Sequence, residues 1–176
     1  MKLVQEDEDG VLTEYRPANK NPVGTRKDIQ FMQSVLADAR IFGTCLKRQY
    51  ACLLVDERNH IVGHGYNGVP SGMTHCEDGG CPRAQEDSPS GSVYDNCYAI
   101  HAEQNALLHS NYDAHPVKLY VNGPPCFTCA KLIANTTIKT VFYIPDDAYA
   151  DWDKVGDFLN DAGVNTIACQ PAQQTI

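Results

Sequence analysis

Long apolar runs and clusters of basic residues are both missing from this sequence. Without an apolar stretch of about 20 residues no helix can span a bilayer. The opening Met1-Lys2-Leu3-Val4-Gln5-Glu6-Asp7-Glu8-Asp9 also lacks the uninterrupted apolar core of a signal peptide. Polynucleotide binding normally leaves an electropositive footprint that neutralises phosphates. Here 14 Lys and Arg stand against 22 Asp and Glu, a formal net charge of −8. No polynucleotide partner and no membrane contact are expected, and the cytoplasm is the expected location. A small anionic ligand needs only a few local donors, so it stays compatible with this balance. The 176 residues, 43% hydrophobic and 20% charged, have the composition of a folded globular domain. In a short secreted chain the cysteines (Cys 8) would suggest disulfides, but without an export signal metal ligation or burial as thiols is expected.

Residues 1–24 are acidic, then polar with Pro17, Pro22 and Gly24, and read as an arm ahead of one domain over 25–176. Thr25 followed by Asp28 resembles a capping box, and Phe31, Met32, Val35, Leu36, Ala39 and Phe42 recur at helical spacing. Residues 50–55 and 60–66 read as a hairpin around the polar turn 56–59. A Gly-, Pro- and Asp-rich stretch then runs to about residue 94, and a loop of that length is usually functional or tied down, for example by a metal. From Asp95 the pattern predicts a helix to about Ser110, a strand over 117–121, a helix over 126–135 and a strand over 139–144. Asp151 can cap a last helix that Gly163 ends, and 164–168 is the final strand. The order β-β-α-β-α-β-α-β implies an α/β fold, a three-layer α/β/α sandwich around a central mixed five-stranded sheet.

The strongest chemical signal is His101-Ala102-Glu103 followed by Pro125-Cys126-Phe127-Thr128-Cys129. One imidazole and two thiolates make a three-ligand zinc site, which leaves a fourth tetrahedral position for water, the arrangement of a catalytic centre. Cys126 and Cys129 share one face at the start of a predicted helix, whose positive end favours their ionised form. Glu103, two residues after the histidine, can reach a zinc-activated water without being a ligand and can serve as the proton carrier. His-x-Glu with Pro-Cys-x-x-Cys is the signature of zinc-dependent base deaminases. The competing readings are a structural zinc completed by one more cysteine, and a redox pair, which leaves His-x-Glu unexplained.

On these residues, and on Gly65-Tyr66-Asn67-Gly68-Val69-Pro70-Ser71-Gly72, His75-Cys76, Cys81, Cys97 and His101-Ala102-Glu103-Gln104-Asn105-Ala106, the chain resembles the cytidine and deoxycytidylate deaminase superfamily, most of all its deoxycytidylate (dCMP) deaminase branch. His101 disfavours the free cytidine deaminases, which usually have Cys there. The long insertion before His101 and the acidic surface disfavour the tRNA adenosine deaminases. The resemblance implies the cytidine deaminase-like fold and conversion of dCMP to dUMP and ammonia, which supplies dUMP for thymidylate synthesis. It also implies a hexamer, activation by dCTP and inhibition by dTTP, with magnesium on the effector triphosphate. Deamination of dCTP or of adenosine in RNA, and a noncatalytic zinc module, are the alternatives.

The resemblance further implies that Asn67 hydrogen-bonds the sugar, although Asn-Gly favours turns in any context. Ala102, Pro125 and Tyr149 are the other expected substrate contacts, the last an aromatic lining the nucleotide pocket. Tyr66 and Gly68 are candidates for the effector site. Cys45, His75, Cys76, Cys81 and Cys97 either hold a second, structural zinc, as in some relatives, or remain reduced loop residues, because their spacing fits no standard finger. Cys52 and Cys169 lie in apolar strands and read as core. Cys52 and the stretch His109-Ser110-Asn111-Tyr112 depart from the family pattern, and the latter bears on the allosteric response.

Overall fold

The computed structural model describes residues 24–86, 96–146 and 152–169; the arm up to residue 23, Asp95, Tyr149 and Asp151 lie outside the described residues. Five strands, β1 (Ala51–Val55), β2 (Ile61–Tyr66), β3 (Lys118–Val121), β4 (Thr140–Tyr143) and β5 (Asn165–Ala168), form one sheet in the order β2-β1-β3-β4-β5. The strand β1 is antiparallel to both β2 and β3, and β4 and β5 extend the sheet in parallel. The helices are α1 (Arg26–Phe42), α2 (Pro82–Gln85), α3 (Ala102–Leu108), α4 (Phe127–Ala134) and α5 (Trp152–Asp161). This is the mixed five-stranded sheet between helical layers that the order of elements implies. Among the described residues no helix is long and apolar enough to cross a membrane.

Alternation along the strands builds a core on each face, as the period of two requires. Ala51, Leu53, Val55, Tyr120 and Phe142 pack with Met32, Val35 and Ala39 of α1. Cys52, Leu54, Leu119, Val121, Val141 and Tyr143 pack with residues of α3, α4 and α5. Each fully buried Val or Leu contributes roughly 1.5–3 kcal/mol. Cys52 and Cys169 are both core residues, as expected from their apolar surroundings.

Local chemistry sets the helix starts. Thr25 caps α1: its backbone N–H donates to Asp28 Oδ2 at 2.7 Å, and its hydroxyl oxygen accepts from the Asp28 N–H at 3.4 Å, the reciprocal bonds of a capping box. The helix expected from Asp95 begins only at Ala102. Residues just before it spend their amides elsewhere: the Tyr98 N–H donates to Cys81 Sγ at 3.4 Å, and Ile100 exchanges bonds of 2.9 and 3.3 Å with Gly68. Those amides hold the chain extended against the loop after β2.

The absence of a side chain at Gly65 brings α3 onto the sheet. A Cβ there would lie 2.2 Å from the Ala106 nitrogen and 2.3 Å from the Ala102 oxygen, so only glycine permits this approach. At the end of β3, Asn122 accepts from the Ala51 N–H at 2.8 Å and donates to the Gln49 oxygen at 2.9 Å. This anchors the turn that leads into α4.

Candidate active site

His101 and Cys126 are the N-cap residues of α3 and α4, both with extended backbone, at φ −71° and −72°. The His101 N–H donates to Gln104 Oε1 at 3.0 Å, which fixes the entry to α3. Cys126 Sγ and Cys129 Sγ lie 3.4 and 3.5 Å from His101 Nδ1. A tetrahedral zinc, with bonds of about 2.3 Å to sulfur and about 2.0–2.1 Å to nitrogen, separates S from N by about 3.5 Å. Donor types and spacing therefore fit zinc.

The thiols share a proton in a way that a metal would resolve. A hydrogen bond from Cys129 is the main cause that lowers Cys126 to about 4, and His101 adds to it against the opposing effect of burial. Its bond to Cys126 and burial push Cys129 far up. Metal ligation takes both as thiolates and releases the proton. Glu103 is 5% exposed. Burial raises its carboxyl above the usual range, while His101 and a hydrogen bond from Cys129 pull the other way. That combination suits a group that must hold and release protons.

A cavity opens beside these residues, with His101, Ala102, Glu103 and Cys126 in its wall. Residues 25–144 match the model of the cytidine and deoxycytidylate deaminase zinc-binding region. The chain belongs to the cytidine and deoxycytidylate deaminase family. It is 34% identical over 160 residues to the deoxycytidylate deaminase of Schizosaccharomyces pombe, a match covering 90% of this chain and 48% of that protein. With the deoxycytidylate deaminase of Saccharomyces cerevisiae the identity is 36% over 140 residues, covering 78% and 43%. The chain thus spans about half the length of these relatives. In fold, it superposes on the dCMP deaminase of cyanophage S-TIM5, solved with dCMP and dUMP, at a TM-score of 0.61 and 22% identity, covering 88% of this chain and 99% of that one.

The remaining expected residues of this family member separate into distinct places. Asn67 and Ala102 line the cavity. The Asn67 carboxamide also clamps the entry to β1, accepting from the Tyr50 N–H at 2.8 Å and donating to the Arg48 oxygen at 2.7 Å. Gly123 and Pro124 stand in the cavity wall, and Pro125 is buried next to them. Gly68 is buried in its bridge to Ile100. Tyr66 is exposed on the edge strand and stacks on Phe42, with ring centroids 5.5 Å apart.

The five residues expected around a second zinc do not form a ligand set. Among the described residues, only His101, Cys126 and Cys129 bring such ligand atoms together. Cys81 is in hydrogen-bonding contact with Cys76 and Cys97, but His75 is exposed, and Cys45 and Cys97 line the cavity beside His101. Burial opposes ionisation of Cys81, yet amide donors at Tyr98, Ala84 and Arg83 outweigh it and lower its thiol.

Sequence reasoning missed Lys47, Arg48, Tyr50, Arg83 and Asp146, which all line the cavity. The one signal available was the adjacent cations Lys47-Arg48 ahead of the first strand.

Proposed function

We propose that this chain hydrolytically deaminates dCMP to dUMP and ammonia. The observation that carries the reading is a buried Glu103, its carboxyl raised, next to a His-Cys-Cys set with zinc spacing, at the wall of an open cavity. The deoxycytidylate deaminases among its relatives support cytosine in a deoxynucleotide as the reacting group. His101, Cys126 and Cys129 would hold a zinc ion that supplies Lewis acidity and, through an open position, lowers the pKa of a water to about 7.

Glu103 takes a proton from the attacking water and delivers it to ring N3. It then carries the second proton to the amino group, so that the oxygen stays on C4 and ammonia departs. The low exposure of Glu103 keeps bulk water from competing for these protons. Asn67 has one N–H and one lone pair beyond those that hold the backbone, enough to meet a sugar hydroxyl.

In the same reading the enzyme is a cytoplasmic hexamer that feeds dUMP to thymidylate synthesis. Activation by dCTP and inhibition by dTTP, each with magnesium, act through the region of Tyr66 and Gly68, by resemblance to the family. The test is ultraviolet detection of cytosine-to-uracil conversion with dCMP, CMP, deoxycytidine and dCTP in parallel, with and without chelator and each effector. Conversion of dCMP that stops on zinc removal supports the reading; no conversion of any cytosine substrate by zinc-loaded protein overturns it.

A further inference from the structure

Among the described residues Tyr50 is the aromatic side chain in the cavity wall, and the proton transfers at the cytosine ring do not use it. Asn67 fixes its backbone on both sides. The Tyr50 N–H donates to Asn67 Oδ1 at 2.8 Å, and the Asn67 N–H donates to the Tyr50 oxygen at 3.0 Å. The ring lies so close to Gly123 that a Cβ there would stand 2.4 Å from Tyr50 Cε1. At its far end the hydroxyl accepts from Arg48 Nη1 at 3.3 Å. Burial raises this hydroxyl above its ordinary value against the opposing effect of Arg48, and the Glu103 charge adds to the rise. The group is therefore a neutral phenol within electrostatic reach of the proton carrier.

We infer that Tyr50 sets a preference for deoxyribose over ribose, by holding its ring where a 2′-hydroxyl would otherwise enter. This rests on the reading of the site as a nucleotide deaminase in which Asn67 meets the sugar. A sugar bonded to the Asn67 carboxamide lies beside Tyr50, because the same carboxamide oxygen accepts the Tyr50 N–H. The backbone bonds, the contact with Gly123 and the bond from Arg48 together restrain the ring, so it does not swing aside to admit one more oxygen. An aromatic face offers a hydroxyl no ordinary hydrogen-bond partner. A 2′-hydroxyl placed against it gives up water without a replacement, which weakens binding roughly ten- to a hundredfold. A hydrogen on the same carbon loses nothing.

The experiment compares wild type, Tyr50→Phe, Tyr50→Val and Gly123→Ala in steady-state turnover of dCMP and CMP, and in calorimetric binding of dUMP and UMP. Wild type should favour the deoxy form at least about tenfold in both measurements. Tyr50→Val should cut that preference at least about fivefold, through a gain on CMP and UMP that loss of a merely structural residue would not give. Tyr50→Phe keeps the ring and should keep the preference. In Gly123→Ala the new Cβ has to displace the ring, so the preference should change. An unchanged preference in Tyr50→Val overturns the assignment, as does a loss in Tyr50→Phe equal to that in Tyr50→Val, or equal binding of dUMP and UMP by wild type. Should Tyr50→Val not fold, an unchanged preference in Gly123→Ala overturns it. If wild type binds dUMP over UMP through Tyr50 but converts neither cytosine nucleotide, the sugar assignment stands and the deaminase reading falls.

Discussion

The two faces of the sheet each carry a buried acid, Asp28 in the first turn of α1 at 2% exposure and Glu103 in the first turn of α3 at 5%, and the two are treated in opposite ways. Burial alone would raise the Asp28 carboxyl. Hydrogen bonds from the Tyr120 hydroxyl, from the Thr25 N–H and hydroxyl at 2.7 and 2.8 Å, and from Lys118 Nζ at 3.0 Å outweigh it and leave it below its ordinary value. Glu103 has fewer donors, and burial wins. Supply of donors, more than depth, decides whether a buried carboxylate is held as a fixed charge or takes up a proton more readily.

The largest effect is expected at the metal. Dialysis against a chelator, or Cys129→Ser, should abolish dCMP turnover and zinc content together, and zinc should restore only the wild type. Glu103→Gln should keep zinc and melting temperature but lower kcat by at least about 10³-fold, within the usual range for a lost general acid and base. Residual activity within tenfold of wild type would remove Glu103 from its role.

Asp28→Asn should do the reverse, sparing the chemistry and costing about 2–3 kcal/mol, because Lys118 and the Tyr120 hydroxyl lose their charged acceptor. Thermal melting should fall by about 4–12 °C. An unchanged melt would show that the acceptor network contributes nothing. Thr25→Ala removes the cap and one of the donors to Asp28 and should cost about 1–2 kcal/mol, readable in urea unfolding.

The smallest effect is in acid. Since the folded Asp28 carboxyl lies below its ordinary value of 3.8, its contribution is complete above that pH. It is lost as pH falls through the lower, folded value. The stability difference between wild type and Asp28→Asn should therefore shrink on acidification below about 4. A difference that is constant with pH would mean that the charge itself is not what stabilises.

Much of the site was legible because its signals are local. A histidine two residues from a glutamate and two cysteines three apart, each at a helix start, state their chemistry through spacing alone. The capping box of Thr25 and Asp28 and the strand alternation that separates Leu53 from Leu54 are equally local. Other features depend on partners far along the chain. Residues 97–100 have a helical look but form no helix, because Cys81 and Gly68 claim the amides of Tyr98 and Ile100. The thiols of the insertion suggest a second metal, yet His75 is exposed and the five ligand atoms are not gathered as those of His101, Cys126 and Cys129 are.

By itself, then, the sequence determined the order of elements and the two-sided sheet, and it singled out the proposed metal ligands and proton carrier, all of which follow from spacing within one turn or one strand. Only the tertiary structure decided which of two buried acids keeps a raised carboxyl, and that Arg48, Asn67 and Asp146 meet at one cavity. Those outcomes depend on donors and charges brought together from distant segments, and Coulomb and hydrogen-bond energies fall with distance in space, not along the chain.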